Sequence, residues 1–296
     1  MINANDRISR TRLSVVGHGL SVAQAGKGPG VIFIHGNATY SYGWRNIIPY
    51  VAQRYRCLAI DLPGMGMSDV VSPSGSNSYA FEDQATHLET AVELLESYNP
   101  VVLVGHELGA TMAIQYTRKN PDRVAGLALV EGVFRVANDD TFDRDVRHFL
   151  TDVRGERGEE LVLKENTIVE KYLPRLTSRT LGPTEMEAYR QPYVRPGESR
   201  RAMLSMIRQL PVRSTPGPID ELVEQTRLWC AQSRVPKLVV GGSPGFLVPN
   251  SVLGTTARWA ETTTVSIRGS HYLMEDSPAR LTSLILDWLF QIGHTS

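Results

Sequence analysis

Short, almost wholly apolar runs alternate with amphipathic stretches over the first 131 residues. Residues 30–34 (Gly-Val-Ile-Phe-Ile), 56–60 (Arg-Cys-Leu-Ala-Ile), 101–104 (Val-Val-Leu-Val) and 126–130 (Gly-Leu-Ala-Leu-Val) lack polar alternation and are too short for helices. Runs of this kind read as strands buried on both faces of a parallel sheet. Residues 81–96 have helical periodicity. So do residues 110–119, which Asn120-Pro121 stops. Residues 44–55 read as a helix with Pro49 at a break or in its first turn. Residues 11–16 and 20–25 alternate about Gly17-His18-Gly19 and predict a β-hairpin.

At Gly132 the alternation stops. Up to Val235 the chain carries charged, helix-patterned segments at 142–152, 159–172, 184–189, 198–209 and 219–232, punctuated by prolines from Pro174 to Pro218. The strand–helix pattern resumes at 237–242, 263–267 and 279–290. The predicted organisation is an α/β core at 1–131, a helical cap at 132–235 and the rest of the core at 236–296. The core is expected to be a mostly parallel central sheet flanked by helices. Sheets of this type bind ligands beyond the carboxyl ends of their strands. Here those ends carry His35-Gly36-Asn37, Asp61, Glu107, Glu131, Ser243 and His271.

The chemistry centres on Gly105-His106-Glu107-Leu108-Gly109, where a buried strand turns into a helix. Small residues on either side of such an elbow push the middle side chain into an exposed, strained position, which in most enzymes of this build is a serine. Here it is Glu107. A carboxylate can attack an electrophilic carbon and form an ester, splitting one difficult step into two. His271 is the candidate base that activates water against that ester. Glu131, at the end of the next strand, is the candidate acid orienting it, with Asp276 a weaker choice. The order nucleophile, acid, histidine is that of α/β-hydrolases. Asn37 and the Leu108 backbone N–H are candidate donors to a developing anion. All these groups are side chains or backbone, so no cofactor and no metal is expected.

Composition narrows the field. Of 296 residues, 42% are apolar and 21% charged, and 31 basic residues balance 31 acidic ones. That balance argues against nucleic-acid or anionic-membrane partners. The basic stretch 195–208 reads as a solvated face. No run approaches a membrane span. The polar residues 1–12 lack the apolar region of a signal peptide. Cys57 and Cys230 are placed in a strand and a helix, which favours a reducing, cytoplasmic setting over a disulfide. The expected partner is a small molecule.

Residues 35–39 (His-Gly-Asn-Ala-Thr), 42–49, 61–69 (Asp-Leu-Pro-Gly-Met-Gly-Met-Ser-Asp), 236–249 and 271–278 (His-Tyr-Leu-Met-Glu-Asp-Ser-Pro) together resemble the haloalkane dehalogenase family of α/β-hydrolases, over roughly residues 11–291. The position of Glu131 is similar to the subfamily whose catalytic acid is a Glu after that strand, a branch that includes coelenterazine luciferases. The resemblance implies carboxylate attack on a halide-bearing carbon, water activation by a His–acid pair, and halide held by an Asn and a Trp beside the nucleophile. Asn37, Glu131 and His271 fit. Glu107 stands where the family has Asp, and Leu108 where it has Trp. The extra methylene moves the carboxylate by about one bond length, and errors of about 1 Å cost orders of magnitude in rate. Leu108 removes an N–H donor, and an apolar neighbour favours the neutral form of Glu107. Three readings follow. One is a hydrolase of a small to medium apolar substrate, with epoxide opening as a neighbour that needs a lid acid such as Tyr172, Tyr189 or Tyr193. Another is a cyclising, eliminating or isomerising enzyme of specialised metabolism that uses Glu107 and His271 as acid and base. The last is a degenerate hydrolase that only binds its ligand.

Overall fold

The computed structural model describes residues 2–94 and 100–294. Eight strands form one sheet: β1 (Ser9–Val15), β2 (His18–Ala25), β3 (Gly30–Ile34), β4 (Arg56–Ile60), β5 (Val101–His106), β6 (Val124–Val130), β7 (Lys237–Pro244) and β8 (Thr262–Gly269). Their spatial order is β1-β2-β4-β3-β5-β6-β7-β8. From β4 to β8 every pairing is parallel, and β1 and β2 add an antiparallel edge. All of β3 and β5 is buried, as expected of strands covered on both faces. The chain steps outward from β3 to β4 and then crosses to β5 on the other side of β3. The β3–β5 boundary is therefore the topological switch point, where a parallel sheet opens a crevice at its carboxyl edge.

The helices are α1 (Ile48–Val51), α2 (Phe81–Glu93), α3 (Leu108–Lys119), α4 (Arg144–Arg154), the short α5 (Leu173–Arg175), α6 (Pro183–Arg190), α7 (Arg201–Arg208), α8 (Asp220–Gln232), α9 (Asn250–Thr256), α10 (Leu273–Asp276) and α11 (Pro278–Gln291). Helices α4 to α8 lie between β6 and β7, and α8 packs on α3, with Arg118 donating to the Gln225 side chain at 3.1 Å.

Several expectations need correction. The hairpin turn is only Val16-Gly17, both at positive φ, the geometry of a tight two-residue turn, so His18 and Gly19 belong to β2. Residues 44–55 are not one helix: a 3₁₀ turn at Ser41–Trp44 precedes α1, with Pro49 in its first turn. The 81–96 helix ends at Glu93, and residues 95 and 96 lie outside the described residues. The 159–172 segment is two π-helical turns, Glu159–Lys164 and Ile168–Tyr172, separated where Asn166 takes φ 57°. The basic stretch is no simple solvated face. Arg200 is buried and donates to the carbonyls of Tyr193, Leu163 and Lys164. The equally buried Arg201 pairs with Glu198 and Glu159.

Candidate active site

Glu107 sits between β5 and α3 at φ 52° and ψ −122°, a strained conformation for a residue with a side chain. Two glycines make the elbow possible. A Cβ on Gly109 would lie 2.4 Å from the His35 carbonyl oxygen, and one on Gly36 would lie 2.5 Å from both Glu107 Cβ and Oε2. The absent Gly36 side chain thus leaves the space that the longer Glu occupies. The Asn37 backbone N–H donates to Glu107 Oε2 at 2.6 Å, and the Leu108 N–H also stabilises this carboxylate. Burial wins over both donors and pushes Glu107 up to about 7.

Glu131 follows β6 and also has positive φ, 44°. Its carboxylate accepts from the backbone N–H groups of Gly242 (2.8 Å), Phe246 (3.1 Å) and Leu247 (2.7 Å). The loop after β7 thereby fixes it 3.5 Å from His271 Nδ1. His271 follows β8. Burial depresses its imidazole to about 3, so it rests neutral. Its ring lies 4.5 Å from that of His106, whose Nε2 contacts the His271 carbonyl at 3.1 Å. His106 is structural, as its place on the elbow suggests, and it braces the histidine loop.

Asn37, Glu107 and His271 line one small cavity of about 50 Å³. The rest of the wall is nearly all apolar: Phe246 and Leu247 from the core, and Phe149, Leu150, Ile168, Leu176, Ile207 and Leu210 from the helical segment. The structure thus brings together three of the five proposed residues in the wall and sets Glu131 behind His271. Leu108 lies outside the wall and contributes only its backbone. Asp276 is not a triad member, because its carboxylate accepts from Ser270, Ser178 and Arg179 N–H groups. Two strand-end residues play no part: Asp61 is tied to Ser41 and Met67 N–H groups, and Ser243 is exposed. Of the three tyrosines weighed as acids, only Tyr172 reaches the cavity, and its hydroxyl donates to the Asp145 carbonyl at 3.4 Å. Tyr189 donates instead to Glu275. Tyr193 is buried outside the cavity wall. Sequence reasoning passed over Tyr272, which also lines the cavity; its only signal was adjacency to His271.

The sequence profile of the alpha/beta hydrolase fold matches residues 29–278. A haloalkane dehalogenase of Sphingobium indicum is 35% identical over 273 residues, 92% of each chain. The chain belongs to the α/β-hydrolases of the haloalkane dehalogenase type. The haloalkane dehalogenase DbeA of Bradyrhizobium elkani superposes with a TM-score of 0.90 at 33% identity, covering 98% of this chain and 100% of that one. A coelenterazine h 2-monooxygenase of Renilla reniformis is 32% identical, over 88% of this chain and 84% of its own. Within this dehalogenase-like hydrolase frame, Glu107, Glu131 and His271 follow the ends of β5, β6 and β8.

Proposed function

We propose that this hydrolase cleaves a small, uncharged, apolar substrate bearing a displaceable halide, through an ester on Glu107. The observation that carries the reading is the seating of Glu107: one carboxylate oxygen is held by the Asn37 N–H in the wall of a cavity that also presents neutral His271. Ionised Glu107 attacks the carbon, and the carbon–halogen bond breaks with its electron pair leaving on the halide. His271 then takes a proton from water, and the hydroxide adds to the ester carbonyl. The developing oxyanion faces the Asn37 and Leu108 N–H groups, and collapse releases the alcohol and restores Glu107. His271 returns its proton to solvent. Glu131 keeps the imidazole oriented and stabilises its charged form.

Residues 132–235 act in this reading as a cap, with α4, the π-helical turn Ile168–Tyr172 and α7 over the cavity and α8 as the return to the core. The free, buried Cys57 and Cys230 fit a reducing cytoplasm. Among the described residues no helix is long and apolar enough to cross a membrane. An acid–base reading, with Glu107 shuttling protons in a non-hydrolytic reaction, draws support from the raised Glu107 pKa.

Mass spectrometry separates the two. With His271→Gln and 1-bromobutane, the ester cannot be hydrolysed efficiently, and a butyl adduct is expected to accumulate on the peptide containing Glu107. Bromide release without any adduct in this variant would favour the acid–base reading. Binding without turnover in the wild type would leave only a ligand-binding role.

A further inference from the structure

The cavity must stabilise a departing anion, yet most donors in its wall are already committed. The Asn37 N–H serves Glu107, and one hydrogen of its side-chain amide serves the Met203 carbonyl at 3.1 Å. The Tyr172 hydroxyl serves Asp145. His271 turns Nδ1 toward Glu131 and, as a neutral base, offers only an acceptor at Nε2. Leu108 has no side-chain donor. Two remain: the second amide hydrogen of Asn37 and the hydroxyl of Tyr272. Tyr272 is 4% exposed, and its hydroxyl donates to no described residue. Its ring is clamped between His106, at 5.5 Å, and His271, at 4.7 Å. Burial, and behind it the charge on Glu107, keeps the phenol protonated. The Tyr193 hydroxyl is sealed off from solvent, whereas that of Tyr272, in the cavity wall, stays accessible, so its hydrogen is free for a ligand in the cavity.

We infer that Tyr272 is a catalytic hydrogen-bond donor to the departing halide, paired with the Asn37 amide and standing in for the donor that Leu108 lacks. This inference rests on the proposed halide-releasing reaction. No proton changes hands: the phenol shares its hydrogen with the anion as the carbon–halogen bond breaks and keeps it when the halide diffuses away.

The test compares wild type and Tyr272→Phe, which keeps the ring and removes one oxygen. Release of chloride, bromide and iodide from the 1-halobutanes is followed alongside chloride-35 NMR line broadening on the resting enzyme at pH 6. Loss of one preorganised donor is expected to lower kcat for the chloride by about 10²-fold. The loss should be smaller for bromide and least for iodide, the weakest acceptor, with Tm little changed. Chloride broadening should fall by at least about tenfold in affinity, the change expected for one hydrogen bond to a charged group. An equal loss across all three halides, or none, overturns the inference. So does wild-type broadening that Tyr272→Phe leaves intact. If the wild type releases no halide yet binds chloride through Tyr272, the proposed reaction fails and the donor assignment stands. Site-specific 3-fluorotyrosine at 272, a stronger donor, guards against a folding artefact: it should tighten chloride binding, and weaker binding overturns the inference.

Discussion

A buried carboxyl with two functions in conflict gives the sharpest residue-scale predictions. In the proposed reaction Glu107 must be ionised to attack, but burial holds its pKa near 7, above the ordinary value of 4.5. His271, depressed to about 3, does not titrate in the working range. The acid limb of kcat/KM is therefore expected near pH 7 and belongs to Glu107, rising with pH to a plateau; a limb near 4.5 would contradict this. The same shift has a stability consequence. A folded-state pKa above the unfolded value means that the folded protein binds the extra proton between about 4.5 and 7, so stability falls as pH rises through that window. Glu107→Gln, which mimics the neutral form, is expected to match wild type at pH 4.5 and to exceed it by about 1–3 kcal/mol at pH 8, one pKa unit being worth about 1.4 kcal/mol. Urea unfolding at the two pH values measures it. The candidate site residues were legible because strand ends punctuate the sequence with polar residues after apolar runs, as at Glu107 and Glu131. The donor at Tyr272 was not, because nothing in a local pattern tells which way a ring beside a histidine faces.

At the element scale the site depends on a buried ionic cluster that no periodicity signals. Glu275, in α10 just beyond His271, accepts from Arg45 at 2.5 Å and 3.0 Å, from Arg179 at 2.5 Å, and from Tyr189. Arg45 also reaches Glu185 at 3.0 Å. The partners come from the loop before α1, from the stretch preceding α6 and from α6 itself, so the cluster joins the core, the helical segment and the histidine loop. Arg45→Met would strand Glu275 and Glu185 with one cation fewer in a dry site. Breaking a buried pair from one side typically costs about 3–5 kcal/mol, and chemical denaturation should show a loss of that size. A loss under about 1 kcal/mol, the range of exposed pairs, would mean that solvent reaches the cluster. The elements themselves were read well where one force dominates. Strands β3 and β4 have the bounds that their apolar runs predict. The 44–55 and 159–172 readings failed because the turns at residues 45–47 and at Asn166 are set by backbone conformation, which hydrophobic spacing does not encode.

For the whole molecule, the question is how a substrate enters. The histidine loop is bonded to the helical segment: His271 N–H donates to the Leu176 carbonyl at 3.0 Å, and Asp276 accepts from Ser178 and Arg179 at 2.7 Å and 3.1 Å. Lifting residues 176–179 would therefore drag the base out of place, and that wall cannot serve as the opening. The remaining helical walls are α4, with Phe149 and Leu150, the π-helical turn with Ile168 and Tyr172, and α7 with Ile207 and, just beyond it, Leu210. A cavity of about 50 Å³ is far below the roughly 300 Å³ at which ordinary ligand sites begin, so wall volume should limit chain length. Ile207 is only partly buried and can be shortened without emptying the core. Ile207→Ala is expected to raise the kcat/KM ratio of 1-bromohexane to 1-bromobutane by at least about tenfold, the lower end of what one methylene contributes in an apolar pocket. Bromide release measures it. An unchanged ratio would rule Ile207 out as the size filter, and Phe149→Leu then tests α4 in the same way.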